Sequence, residues 1–313
     1  MAFTGTGKIW MNGSMVDWKD ATVHVAAHVV HYGTGVFEGL RAYDSRHVTN
    51  VFRLEPHMRR MTDSCRVYRM APRWSPQELS DAVVETVRVN GFKSCYIRPL
   101  VYRGYEQLGL NPMLNPVEVA IIVWEWNQML GADALENGID AGVSSWTRLA
   151  PNTMPGLAKC TGNYANSALI KMQATLDGYG EGIALDERGL VSEGSGQNLF
   201  LVRDGVIFTP TLDSSVLKGI TRDCVLTMAR DLGFEVRECA IPREVLYMAD
   251  EAFFCGTAVE VTPIRSIDKI LVGDGKRGSV TKALQERFFG IISGAVPDTH
   301  GWLTPVGAPA TVR

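Results

Sequence analysis

The 313-residue sequence lacks the features that would send a chain into a membrane or onto a nucleic acid. No apolar run approaches the ~20 residues that a spanning helix needs. Basic and acidic residues nearly balance, 31 Lys and Arg against 34 Asp and Glu, and no basic cluster stands out, so a polyanion is not an expected partner. The opening stretch MAFTGTGKIWMNGSMVDWKDA has no charged segment followed by an apolar one. A secretory leader is therefore not expected, and a cytoplasmic location is. Cys65, Cys95, Cys160, Cys224, Cys239 and Cys255 contain no C-x-x-C, which predicts reduced and mostly buried thiols rather than a disulfide framework.

Three more absences remove enzyme classes. His24, His28 and His31 have helical spacing, but there is no H-E-x-x-H and no carboxylate between them. The flanking valines favour a strand, which would separate the imidazoles, so no metal site is expected. EGSGQ at 193–197 is not the G-x-S-x-G of a serine hydrolase. Gly273, Gly275 and Gly278 have the dinucleotide spacing of a nicotinamide-dependent oxidoreductase. No second strand and no acidic residue stand where the ribose contact belongs, so a charged turn is the better reading.

What is present is an ordinary globular composition, 46% hydrophobic and 21% charged. The length suits about two domains of ~150 residues. KIWM and SMVDW predict two strands around Asn12-Gly13. Ser75, Pro76 and Glu78 form a helix-start signature, followed by an apolar stripe of Leu79, Val83, Val84 and Val87 and stopped at Asn90-Gly91. SCYIRPLVYRG and VEVAIIVWEW read as strands, the second buried. Periodicity is lost over 127–138, which we take as the connection between an N-terminal α+β domain, 1–126, and a larger C-terminal one, 139–313. The second half adds strands around Glu187-Arg188-Gly189 and Asp204-Gly205. It also has a helix at GITRDCVLTMARDLGF with Cys224, Val225, Met228 and Leu232 on one face, and an irregular tail from Gly294. Strands and helices do not strictly alternate, which gives α+β.

One lysine is oddly placed. Lys159 sits among Pro155, Gly156, Leu157, Ala158, Cys160 and Gly162, just before an apolar-periodic segment. An ordinary lysine lies on a solvated face. A lysine used as a nucleophile forms a Schiff base with a carbonyl cofactor such as pyridoxal 5′-phosphate. Such a cofactor also needs phosphate donors, an acid at its pyridine nitrogen and a donor at its phenol oxygen. Gly219, Ile220 and Thr221 at a helix start and Arg59 or Arg60 could serve the first need, Glu193 the second and Tyr164 the third.

The runs HYGTGVFEGLRAY, YIRPL, VSSWTRLAPNTMPGLAKCTGNY, EGIALDERGLVSEGSGQNLF, LKGITRD and CGTAVEVTPIRSID occur in that order. Together they resemble the branched-chain amino acid aminotransferases, fold-type IV pyridoxal-phosphate enzymes, from about Ile9 to Leu303. The resemblance implies a two-domain fold with the cofactor at the domain interface and a ping-pong exchange between leucine, isoleucine or valine and 2-oxoglutarate. It implies Lys159 as the catalytic amine, and Arg60, Arg148, Tyr164, Glu193, Leu217, Ile220, Thr221 and Thr257 as cofactor residues. It implies a substrate pocket of Tyr32, Phe37, Gly39, Tyr96, Arg98, Trp126, Thr257 and Ala258, to which Leu108 and Leu110 come from a partner subunit. At least a homodimer follows, with a hexamer open. Departures from the family pattern fall at Gln128, Met129, Lys218 and Val259. A D-amino acid or (R)-amine transaminase and a pyridoxal-dependent lyase of the same fold are the nearest alternatives.

Overall fold

The computed structural model describes residues 5–46, 48–126 and 133–307. They form two compact units. The first takes Met1–Trp126, Ala158–Gly162 and Gly290–Arg313, and the second takes Asn127–Leu157 and Asn163–Phe289. A single cut near residue 139 would have given 158–162 and 290–313 to the second. Of the connection read at 127–138, residues 127–132, with Gln128 and Met129, lie outside the described residues.

The first unit runs β1 (Lys8–Met11), β2 (Ser14–Asp17), α1 (His28–Tyr32), β3 (Gly35–Phe37), β4 (Leu40–Ser45), β5 (Val48–Phe52), α2 (Leu54–Val67), α3 (Pro76–Asn90), β6 (Cys95–Arg103) and β7 (Val117–Trp124). Its antiparallel sheet has the order β5-β4-β6-β7-β1-β2, with Leu303–Pro305 added outside β5 and β3 paired to β6. Asn12 and Gly13 take positive φ, 50° and 93°, as the tight turn between β1 and β2 requires. Ser75 and Glu78 form the reciprocal cap at the start of α3, and Gly91 ends it in the left-handed region. The inner faces of α2 and α3, with Met58, Met61, Cys65, Leu79, Val83 and Val87, pack with Leu40, Ile97, Val101 and Ile121 in one core.

The second unit runs α4 (Ala134–Asn137), β8 (Ile139–Val143), α5 (Tyr164–Leu176), β9 (Glu181–Leu185), β10 (Val191–Gly194), β11 (Asn198–Arg203), β12 (Val206–Pro210), α6 (Ile220–Asp231), β13 (Val236–Cys239), β14 (Glu251–Gly256), β15 (Glu260–Ile267), β16 (Ile270–Leu271) and α7 (Ser279–Ile292). The sheet order is β10-β9-β8-β15-β14-β11-β12-β13, with β16 on β15. Parallel pairs β9-β8-β15 and β12-β13 sit beside antiparallel ones, the α+β class expected.

Three local expectations fail for physical reasons. Residues 28–32 are a short helix, not a strand: Gly33, at φ 63°, closes the turn by donating to the Val29 carbonyl, which overrides the valines' strand preference. Leu232 is 41% exposed because α6 ends there and the chain leaves the buried stripe. The tail is not wholly irregular, since Leu303–Pro305 pairs with β5.

Candidate active site

In the first unit the candidate residues come together on one sheet face and one helix face. Side chains on one side of a strand recur every second residue, and directly paired residues share a side. Tyr96 and Arg98 are two apart on β6, and Tyr96 is paired with Trp124 of β7. Phe37 of β3 pairs with Leu100, on the same side of β6. Ring centroids of Tyr96 lie 4.9 Å from both Trp124 and Trp126. The Arg98 guanidinium lies 4.8, 5.3 and 5.8 Å from the centroids of Phe37, Tyr96 and Trp124. Gly39 is required where it is, because a Cβ there would come within 2.1 Å of the Tyr96 hydroxyl. Tyr32 does not join this box; it is exposed, and its ring packs on His28 and His31.

Lys159 is fixed through its backbone. Its N–H donates to Ser64 Oγ at 3.0 Å, its carbonyl accepts from Phe37 N–H at 3.0 Å, and the next residue, Cys160, bridges to Val36. Its Nζ lies 4.8 Å from the Phe37 ring centroid. Helical spacing puts His57, Arg60 and Ser64 on one side of α2. Glu38, fully buried, binds Arg60 bidentately, Nε to Oε1 at 2.7 Å and Nη2 to Oε2 at 2.8 Å. His57 Nδ1 lies 2.6 Å from Glu38 Oε2, and burial pushes the His57 pKa down, so its neutral ring donates there. Burial opposes the Glu38 charge, but Arg60 and His57 overcome it and hold the carboxyl far below the usual range. Neighbouring Arg59 is exposed while Arg60 turns inward. Glu38 and His57 were not singled out in the sequence: a glutamate beside a strand and a histidine in a helix have no local mark of burial.

Leu108 and Leu110 are 59% and 85% exposed. The loop carrying them is nonetheless held. The buried side chain of Asn115 accepts from Gln107 N–H and donates to its carbonyl, and His28 Nε2 lies 2.7 Å from the Gly109 carbonyl. His24 Nδ1 accepts from Ala26 N–H, and a nitrogen of His31 meets the Val25 carbonyl, so these imidazoles serve the backbone.

In the second unit, Glu193 on β10 is buried and receives Arg148 Nη2 at 2.8 Å, Asn198 Nδ2 at 3.0 Å and the Leu217 N–H at 3.1 Å. Arg148 also donates to Asn166 and Ser167, so its guanidinium braces the carboxylate. Asn198, missed in the sequence, donates as well to the Leu217 carbonyl. A Cβ on Gly219 would meet Asn198 Oδ1 at 1.9 Å. Gly219 is the N-cap of α6 and brings no side chain of its own to cap that helix; Ile220 and Thr221 are its first residues. Tyr164 is the first residue of α5, and Thr257 and Ala258 lie in the turn between β14 and β15. Lys218 is exposed and Val259 is buried in the core, so neither departure alters a polar group here.

The glycine pattern before α7 has a different occupant. Glu251 accepts from the N–H groups of Val280 and Thr281 at 3.0 and 2.8 Å and from the Thr281 hydroxyl. A Cβ on Gly278 would meet that carboxyl at 1.9 Å. The helix start that a pyrophosphate would use is filled by the chain's own carboxylate.

The amino-transferase class IV pattern matches residues 35–267, and the chain belongs to that family. Within it, the chain is 52% identical to the branched-chain-amino-acid aminotransferase of Salmonella typhimurium, over 96% of this chain and 97% of the relative. It is similar to the crystal structure of Escherichia coli branched-chain amino acid aminotransferase, with TM-score 0.95, 51% identity, and 96% and 100% of the two chains covered. The crystal structure of the Thermobaculum terrenum branched-chain amino acid aminotransferase, in its PLP-form, has TM-score 0.91 and 35% identity, covering 97% and 99%.

Proposed function

We propose that this protein transfers the amino group of L-leucine, L-isoleucine and L-valine to 2-oxoglutarate in a ping-pong reaction that depends on pyridoxal 5′-phosphate. The residues fit that cofactor. Glu193 is a buried carboxylate already carrying a cation and two neutral donors, suited to hold a proton on a ring nitrogen. The start of α6 offers backbone donors behind Gly219, whose missing Cβ makes room for the Asn198 amide that braces Glu193. When bound, the cofactor supplies an electron sink for the pair left at the substrate Cα.

The chain's own residues do the rest. Lys159 would hold the cofactor, and its freed amine would carry the proton from the substrate Cα to the cofactor's C4′ carbon. Its backbone bonds to Ser64 and Phe37 fix where that amine can swing. Tyr164 would donate to the phenol oxygen and Leu217 would pack on the ring, while Arg148 keeps Glu193 in place. Arg60, the Ile220 and Thr221 N–H groups and the Thr221 and Thr257 hydroxyls hold the phosphate. The α-carboxylate of the substrate meets the backbone of Thr257 and Ala258 and the Tyr96 hydroxyl, with Gly39 giving that hydroxyl its room. Phe37, Trp126 and Tyr164 wall the apolar side chain, and Arg98 pairs with the second carboxylate of 2-oxoglutarate. A second copy of the chain covers the exposed Leu108 and Leu110, which gives at least a homodimer. Among the described residues no helix is long and apolar enough to cross a membrane.

The observation that carries the chemistry is Lys159, a lysine locked by its backbone with its amine over an aromatic face, in a chain of this family. The near-full-length likeness to branched-chain-amino-acid aminotransferases supports the substrate. The test is a half-reaction. L-Leucine added to the cofactor-loaded protein without an oxo acid should replace the visible absorption of the lysine-bound cofactor with that of pyridoxamine phosphate. Lys159→Ala should not respond. A response only to a D-amino acid or an (R)-amine would overturn the substrate assignment and leave the family intact.

A further inference from the structure

Arg98 is a cation without a counter-ion. It makes no ion pair among the described residues, its Nε is buried with no hydrogen-bond partner, and its one polar contact is a long one, Nη2 to the Tyr96 hydroxyl at 3.5 Å. What surrounds the guanidinium instead is aromatic: Phe37, Tyr96 and Trp124, all within 6 Å of it. Trp124 is the partner that no role above uses. It pairs with Tyr96 across the strands, lies tilted against that ring with centroids 4.9 Å apart, and meets Trp126 edge-on at 5.9 Å. It is therefore held rigidly by the sheet and by two neighbouring rings.

We propose that Trp124 is a specificity-determining positioning residue, which holds Arg98 by its face so that one pocket accepts both an uncharged and an acidic side chain. The inference rests on the aminotransferase reading above. A bare guanidinium in a pocket closed over leucine would lose its water and gain nothing in return. An indole face replaces part of that hydration by its quadrupole, and more strongly as the site dries. An incoming carboxylate offers a bidentate ion pair, which is stronger than the ring contact, and draws the guanidinium away. Trp124 thus favours the apolar substrate relative to the acidic one, without touching the reacting atoms.

The test compares the leucine and glutamate half-reactions, each followed by the cofactor spectrum in a stopped-flow instrument. In Trp124→Leu the ratio of kcat/KM for leucine to that for glutamate should fall about two- to fivefold, the loss of one partly buried cation–π contact. Trp124→Phe keeps a ring face and should restore most of the ratio. Placed on an Arg98→Met background, Trp124→Leu should leave the ratio unchanged, because the residue acts through Arg98. A parallel fall of both kcat/KM values at constant ratio would overturn the proposal and make Trp124 a simple wall. So would a ratio change that persists without Arg98. If the unaltered protein processed neither amino acid, the aminotransferase reading itself would fail, a result distinct from both. Should Trp124→Leu not fold, Trp124→Phe against Trp124→His, compared at a pH where the imidazole is charged, gives the same contrast: His⁺ must depress the leucine ratio further than Phe.

Discussion

Two helices of the second unit begin in opposite ways. The start of α7 is closed by Glu251, whose carboxylate takes two backbone N–H groups and a hydroxyl. At the start of α6 a glycine stands at the N-cap and brings no capping side chain of its own. Both starts carry the partial positive charge of a helix N-terminus. The difference separates a positive pole that the protein neutralises itself from one whose N-cap leaves room for the anion of the proposed function. Arginines divide similarly. Arg148 is matched by Glu193, whereas among the described residues Arg98 has aromatic faces and one long contact to the Tyr96 hydroxyl. Arg60 falls on the neutralised side, gripped by Glu38. In the proposed function its service to a phosphate would then be one of oriented N–H groups rather than of net charge.

The largest test of this contrast breaks a neutralised pair. Arg60→Met leaves Glu38 buried beside neutral His57 and should cost about 3–5 kcal/mol of stability in denaturant unfolding. The pH dependence has a definite sign. Glu38's folded pKa is depressed below its ordinary 4.5, so its contribution is present above that value and is lost as pH falls through the folded value. The gap between the unaltered protein and Arg60→Met should therefore narrow on acidification below that pH; a constant gap would mean the pair is not the cause.

Gly219→Val attacks the open helix start. Its side chain would collide with Asn198, and losing one donor to an anion should weaken pyridoxal phosphate binding by roughly 10–100-fold, at ~1.5–3 kcal/mol per charged hydrogen bond. Binding of pyridoxal, which lacks the phosphate, should change much less; equal losses would show that the site as a whole had collapsed. Glu251→Gln at the closed start should lower stability by ~1 kcal/mol and leave cofactor affinity where it was. A cofactor effect there would erase the distinction between the two helices. Smallest is Thr221→Val, which removes one hydroxyl from the open start and should weaken pyridoxal phosphate two- to tenfold, about 0.5–1.5 kcal/mol, in an equilibrium titration.

Much of this was legible in the sequence where the signal is local. The turn at Asn12-Gly13, the cap of Ser75 with Glu78 and the inward choice of Arg60 over Arg59 all follow from neighbours in the chain or from the family motif. The residues that were missed act across long sequence separations. Glu38 meets Arg60 over 22 residues, and Trp124 meets Tyr96 only because β6 and β7 pair in one register. Arg148 was placed near the cofactor by its motif, yet its bond to Glu193, 45 residues on, is what defines its work. The glycine pattern before α7 misled for a related reason: Gly278 makes room for Glu251, a carboxylate more than 20 residues upstream, and spacing alone cannot name the guest.

The passage of residues 158–162 through the first unit also bears on how the protein is made. That unit is assembled from three separate stretches, and the strand that closes β5 arrives only with Leu303–Pro305. A nascent chain stopped after β7 lacks both Lys159 and that outer strand, so it leaves Val36 and β5 with unpaired backbone edges. During translation the N-terminal part must wait, incomplete and prone to self-association, for segments made much later. The amine at the centre of the proposed chemistry reaches its unit only after the second unit's synthesis has begun. Expression of residues 1–126 alone is accordingly a poor route to a stable fragment.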